Sequence, residues 1–288
     1  MNNKNPGKDI SKEDLESKIP LSTDKVSKFN FVSVNNVVFD DTNFVVMAGP
    51  NLVETEEMML QIAKSVKKSG ASMLRGGAFK PLTFPYRSAK YFETEELGLK
   101  WLKAASDETG LPCVSEVTSV RNLETVCNYV DMLQIGTRNM QNYDLLVESA
   151  KTMKPILLKR GFGSSLRDFL GAAEYILNEG NFNLVLCERG IVSPHTHRQS
   201  SRFLLDLQII PALKELSFLP IITDPSHATF WANWVPSMSL ASLAAGANGV
   251  MIEVHPNPED AAVDPLQPLD FDSFDVLMKK IIKLKNFI

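Results

Sequence analysis

The chain has 288 residues, 44% of them hydrophobic and 22% charged, which is enough apolar material for a full-sized core and excludes a disordered chain. Its 30 Lys+Arg against 34 Asp+Glu give a net charge of -4, so it lacks the basic footprint of a nucleic-acid binder. No apolar run approaches the roughly 18 residues of a bilayer span, and the polar N-terminus has no signal-peptide core, so a cytoplasmic protein with no membrane partner is expected. Cys113, Cys127 and Cys187, without CxxC spacing, read as reduced structural thiols.

In chain order, residues 1–25 are polar with no apolar period and read as a mobile tail. Over 26–42, two short apolar runs flank Asn35-Asn36 and predict a β-hairpin that closes one end of a larger body. From 43 to 288 the pattern becomes short apolar runs separated by helical-period segments: 44–49, 72–77, 112–117, 132–136, 155–160, 183–190, 220–225 and 249–254. Eight such strand–helix units predict an α/β fold, a (β/α)8 TIM barrel with a short N-terminal hairpin extension, the open doubly wound sheet being the alternative. The position of the polar residues favours the barrel. Arg75, Glu116, Lys159, Glu188, Arg189, Asp224, His227 and Glu253 fall at or just past strand C-termini, which a barrel gathers at one mouth.

Arg75, Lys80, Arg138, Lys159, Arg160 and Arg189 would then form a cationic funnel suited to a small, multiply anionic substrate. His227, Glu253 and Asp264 are candidate ligands for a divalent metal, although their spacing alone is a weak signal. His255, two residues past Glu253, could equally be an ordinary exposed histidine.

The segments RGGAFKP (75–81), QIGTRNMQN (134–142), LLKRG (157–161), AAEYI (172–176), LCERGI (186–191), DPSHA (224–228) and EVHPNPE (253–259) resemble the type I DAHP synthases, especially their β branch. That branch in turn resembles the 3-deoxy-manno-octulosonate 8-phosphate synthases. The resemblance implies a barrel enzyme of the transferase class that condenses phosphoenolpyruvate with an aldose phosphate and releases inorganic phosphate. It implies that Arg75, Lys80, Arg138, Lys159 and Arg189 bind phosphoenolpyruvate, that Gly136 and Thr137 bring backbone N–H groups to the phosphate, and that Lys80 or Lys159 moves a proton. Glu116 would orient a water or a lysine. A homo-oligomer, dimer or tetramer, is also implied.

Three departures qualify the resemblance. Where the family has a metal-ligating cysteine in AGPCSVE, this chain has Asn51, and a carboxamide binds a divalent ion far more weakly than a thiolate. A reaction that needs no metal is therefore favoured, with Asn51 hydrogen-bonding the acceptor or an attacking water; Mn²⁺ or Mg²⁺ held by His227, Glu253 and Asp264 is the alternative. Next, KPRTS becomes KPLTF, so Leu82 and Phe84 stand where an arginine and a serine help bind the acceptor phosphate, and Arg87 is a possible replacement. Third, the segment after the sixth strand gains about three residues, which puts Arg202 at the family's arginine, Arg198 being its rival, and replaces Asn and Thr by Phe203 and Leu204. His195 and His197 in this insertion could touch substrate.

The phosphoenolpyruvate half thus looks intact and the aldose half rewritten. The favoured expectation is a 3-deoxy-2-ulosonate (phosphate) synthase with an acceptor other than erythrose 4-phosphate. The alternatives are an ordinary 3-deoxy-7-phosphoheptulonate synthase of the shikimate pathway, a silent phosphoenolpyruvate-binding homologue, and a Schiff-base aldolase on Lys159. With only 42 residues ahead of the barrel, feedback inhibition through an added domain is not expected.

Overall fold

The computed structural model describes residues 17–24, 31–80, 93–194 and 203–287. The hairpin forms where the two apolar runs meet: β1 (Val32–Val34) pairs antiparallel with β2 (Val37–Phe39) around Asn35, whose φ of 52° is a left-handed turn conformation that asparagine tolerates. All eight predicted runs contain strands: β3 (Val45–Gly49), β4 (Met73–Arg75), β5 (Cys113–Val117), β6 (Met132–Ile135), β7 (Ile156–Lys159), β8 (Leu184–Glu188), β11 (Ile221–Thr223) and β12 (Gly249–Glu253). Between them come two short strands, β9 (Ile191–Val192) and β10 (Phe203–Leu204), which pair antiparallel after β8. The eight long-range strands pair in parallel and close in the order β11-β12-β3-β4-β5-β6-β7-β8, a (β/α)8 TIM barrel.

The helices start and stop where local chemistry dictates. Helix Glu56–Lys68 begins at Thr55, whose hydroxyl accepts from the Met58 N–H, carries Glu56 and Glu57 at its positive end and ends in Lys67 and Lys68. Its apolar face, Met59, Ile62, Ala63 and Val66, is buried against the barrel.

Strand alternation splits the core in two. One set, including Val46, Ala48, Leu74, Cys113, Leu133, Leu158 and Ile252, packs outward under the helices. The other, Val45, Met47, Met73, Val114, Met132, Leu157, Val185, Cys187, Ile222 and Met251, fills the barrel interior together with Val32, Val34, Val37 and Phe39 of the hairpin. The hairpin therefore plugs the N-terminal end of the barrel and leaves the opposite mouth open.

The composition-based tail does not extend to residues 17–24. Ser22 is fully buried, and Glu174 on helix Leu166–Asn178 accepts from the N–H groups of Leu21 and Ser22 at 2.8 and 2.7 Å and from the Ser22 hydroxyl at 2.6 Å. A half-buried carboxylate acceptor compensates for the low hydrophobicity that made this stretch look untethered.

Removing the plug should be costly. Phe39→Ala, which empties a fully buried site between hairpin and barrel, is expected to lower stability by about 3–5 kcal/mol in urea unfolding monitored by circular dichroism.

Candidate active site

The inward parity that places apolar side chains low in the barrel places polar ones high. One step past Met73, Val114, Met132, Leu157, Cys187, Ile222 and Met251 stand Arg75, Glu116, Gln134, Lys159, Arg189, Asp224 and Glu253. Asn51 lies two residues beyond the end of β3. A glycine is needed at 136 because a Cβ there would lie 1.9 Å from Glu116 Oε1, so the backbone after β6 rests directly on that carboxylate.

Asp224 organises one side of the mouth. It N-caps the five-residue helix Pro225–Thr229, its Oδ1 accepting from the His227 N–H at 3.0 Å, and Pro225 supplies a preset first turn. That turn folds His227 back so that its Nδ1 lies 2.7 Å from Asp224 Oδ2, which also accepts from Lys159 Nζ at 2.6 Å. Burial drives His227 well below the usual histidine range, so the ring is neutral. Burial alone would raise the Asp224 carboxyl, but His227 and Lys159 outweigh it and hold it well below its ordinary value. An ionised Asp224 places the His227 proton on Nδ1 and leaves the Nε2 lone pair facing Glu253 Oε1 at 3.1 Å. Burial raises Glu253 to about 7, so near neutrality this carboxyl can carry the proton that such a contact requires.

The other side of the mouth is built on Asn51. Its Oδ1 accepts from Lys80 Nζ at 2.5 Å and from Arg75 Nη2 at 3.4 Å, and its Nδ2 donates to Asp264 Oδ2 at 3.1 Å. Arg75 Nη1 lies 3.4 Å from Glu253 Oε1. Burial lowers the Lys80 pKa against the pull of Glu116, making the ammonium readier to release a proton than an ordinary lysine. At the position where the family pattern has a cysteine, Asn51 offers a divalent ion little: its amide oxygen already receives two cationic donors and its amide nitrogen cannot ligate.

A cavity of about 610 Å³ opens at this mouth. Of the residues expected from sequence, Lys80, Glu116, Gly136, Thr137, Arg138, Lys159, Arg189, His227 and Asp264 line it, while Arg75 and Asn51 line a small recess beneath it. Arg202, Leu82, Phe84, Arg87, His195, His197 and Arg198 lie outside the described residues. Arg160 and Glu188 do not join the site. They occupy outward parity, where Arg160 Nη1 meets Glu188 Oε2 at 2.9 Å and Asp206 Oδ2 at 2.8 Å. His255 is buried, its Nε2 3.5 Å from Glu54, and is not an exposed histidine. Sequence reasoning missed Gln134, which the inward parity of Met132 would have revealed, and the apolar lining residues Phe162, Val192, Phe230 and Val263, which lie in loops or short elements that carry no periodic signal.

With this geometry in place, comparison with known proteins is decisive: the profile of the DAHP synthetase I family matches residues 19–287. The chain belongs to that family. It is 40% identical over 255 residues to the phospho-2-dehydro-3-deoxyheptonate aldolase of Thermotoga maritima, covering 88% of this chain and 74% of the relative. It is 26% identical over 271 residues to the 2-dehydro-3-deoxyphosphooctonate aldolase of Geotalea uraniireducens, covering 87% of this chain and 96% of that one. The truncated 3-deoxy-D-arabino-heptulosonate 7-phosphate synthase of T. maritima superposes with a TM-score of 0.81 at 38% identity, over 89% of this chain and 92% of the other. No helix among the described residues of this family member is long and apolar enough to cross a membrane.

Arg160 and Arg189, one outside the barrel wall and one inside, should respond differently to mutation. Arg160→Met leaves the buried Glu188 carboxylate unpaired and is expected to cost about 3–5 kcal/mol in thermal or urea unfolding, as for other broken buried ion pairs. Arg189→Met, which breaks no ion pair among the described residues, should leave the unfolding midpoint much less changed.

Proposed function

We propose that this member of the DAHP synthetase I family condenses phosphoenolpyruvate with an aldose or aldose phosphate, giving a 3-deoxy-2-ulosonic acid or its phosphate plus inorganic phosphate. The observation that carries this is the convergence of Lys80, Arg138, Lys159 and Arg189 on one cavity in a chain of net charge -4. Phosphoenolpyruvate presents a phosphate and a carboxylate, which need several fixed donors, and guanidinium forks suit both. In the reaction, C3 of phosphoenolpyruvate bonds to the aldehyde carbon, whose oxygen takes a proton. Water adds to C2, and the C2–phosphate bond breaks to release inorganic phosphate.

Lys80, with its lowered pKa, is suited to give the proton to the aldehyde oxygen, and Asn51 holds that ammonium in place. Lys159, fixed by Asp224, is the second cation over the substrate, and neutral His227 or Glu116 orients the water. No metal is assigned a role, because Asn51 is already engaged by Lys80, Arg75 and Asp264.

The acceptor is proposed to differ from erythrose 4-phosphate. Phe162, Val192, Phe203, Phe230 and Val263 add apolar surface to the cavity lining, and Leu82 replaces an arginine of the family pattern. Loss of one charge-assisted contact costs about 1.5–3 kcal/mol, one to two powers of ten in acceptor affinity. The 40% identity to the T. maritima heptonate aldolase supports the second reading, an ordinary DAHP synthase.

Phosphate release from phosphoenolpyruvate, measured against a panel of aldehydes, separates the two. Turnover with an unphosphorylated or larger aldose and little with erythrose 4-phosphate is expected; turnover with erythrose 4-phosphate at about 1 per second or faster would establish the ordinary synthase. Activity is also expected to survive EDTA, whereas Asn51→Cys should create Mn²⁺ or Zn²⁺ binding detectable by metal analysis. Loss of wild-type activity in EDTA and its return with Mn²⁺ would refute the metal-free reading.

A further inference from the structure

Arg189 differs from the other buried guanidinium groups of the barrel in what holds it. Arg160 meets two carboxylates, and Arg75 meets Glu253. Arg189 is only 6% exposed, yet among the described residues no carboxylate lies within ion-pair distance and its Nη1 has no hydrogen-bond partner. Instead, its guanidinium carbon sits 4.3 Å from the ring centroid of Phe203 and 5.1 Å from that of Phe162. The two rings stack on each other with centroids 5.2 Å apart and planes 12° from parallel.

The backbone brings those rings to this place. β9 begins two residues after Arg189, and its pairing with β10 sets Phe203 opposite Val192. The Val192 N–H donates to the Phe162 carbonyl at 2.7 Å, tying the second ring to the same hairpin. Gly190, at φ 91°, makes the close approach possible, since a Cβ there would lie 2.8 Å from the Phe203 Cβ.

We propose that Phe203, together with Phe162, is a positioning residue that fixes the Arg189 guanidinium for the phosphate of the substrate without neutralising it. A carboxylate partner would orient an arginine equally well, but it would cancel the charge and occupy the N–H donors a phosphate needs. An aromatic face orients the planar cation through its quadrupole and leaves every N–H available. Arg189 and both rings line the 610 Å³ cavity, and the buried Nη1 of this cavity-lining arginine keeps an unused donor among the described residues. The replacement of Asn by Phe203 in the family pattern, which on sequence grounds bears on the acceptor, therefore acts on the phosphoenolpyruvate side as well. This inference rests on the assignment of Arg189 to phosphoenolpyruvate.

The test is calorimetric titration of the full chain with phosphoenolpyruvate alone, for wild type, Phe203→Leu, Phe203→Tyr and Phe162→Leu, followed by steady-state kinetics. Phe203→Leu and Phe162→Leu are expected to weaken phosphoenolpyruvate binding about three- to thirtyfold, the range of a desolvated cation–π contact. Phe203→Tyr, which keeps the ring, should recover most of the loss, and KM for phosphoenolpyruvate should rise more than kcat falls. Should Phe203→Leu fail to fold, Phe162→Leu carries the same expectation from the other ring. Unchanged phosphoenolpyruvate affinity in both leucine variants, or an effect confined to the KM of the acceptor, overturns the clamp and leaves the site assignment standing. A wild type that does not bind phosphoenolpyruvate removes the assignment itself and the clamp with it.

Discussion

The period-two alternation of eight parallel strands in a closed ring is the constraint on which the rest of the molecule depends. Closure leaves each strand one inside face, so the residue after each inward apolar side chain but one must point into the same interior. Met73 therefore commits Arg75, Leu157 commits Lys159, and Ile222 commits Asp224 to a shared upper layer. A one-residue slip in any strand would send its charge out among the helices, where Arg160 and Glu188 need each other and Asp206 to be accommodated.

Concentrating charge in that layer raises an electrostatic problem, and the barrel solves it differently on its two sides. Around Asp224 the solution is a carboxylate that takes Lys159 and a neutral imidazole together. Around Asn51 it is a neutral amide whose oxygen faces two cations and whose nitrogen faces an anion, so opposite charges are bridged through one side chain. Around Arg189 it is a pair of aromatic faces.

Much of this was legible in the sequence because it rests on local rules. The eight apolar runs, the Asn35 turn and the cluster of strand-end cations follow from alternation and turn chemistry, and the family motifs fall on those same positions. What escaped was set by long-range packing. Arg160 looked equivalent to its neighbour Lys159, and only the strand's facing separates them. Ser22 appeared to belong to a tail because its anchor, Glu174, is more than a hundred residues away. Phe162 lies in a loop and Phe203 in a two-residue strand, too short for any period, so their meeting over Arg189 depends on the β9–β10 pairing after β8.

The two fully buried cysteines occupy opposite sides of the barrel wall. Cys113 belongs to the core between strands and helices, where burial pushes its thiol up to about 12, and Cys187 belongs to the interior, where burial also raises it. Neither can react with an alkylating reagent until the structure around it opens. Labelling rates at the two positions thus become separate clocks, one timing the lifting of helices from the sheet and the other the breathing of the barrel lumen beneath the cationic mouth.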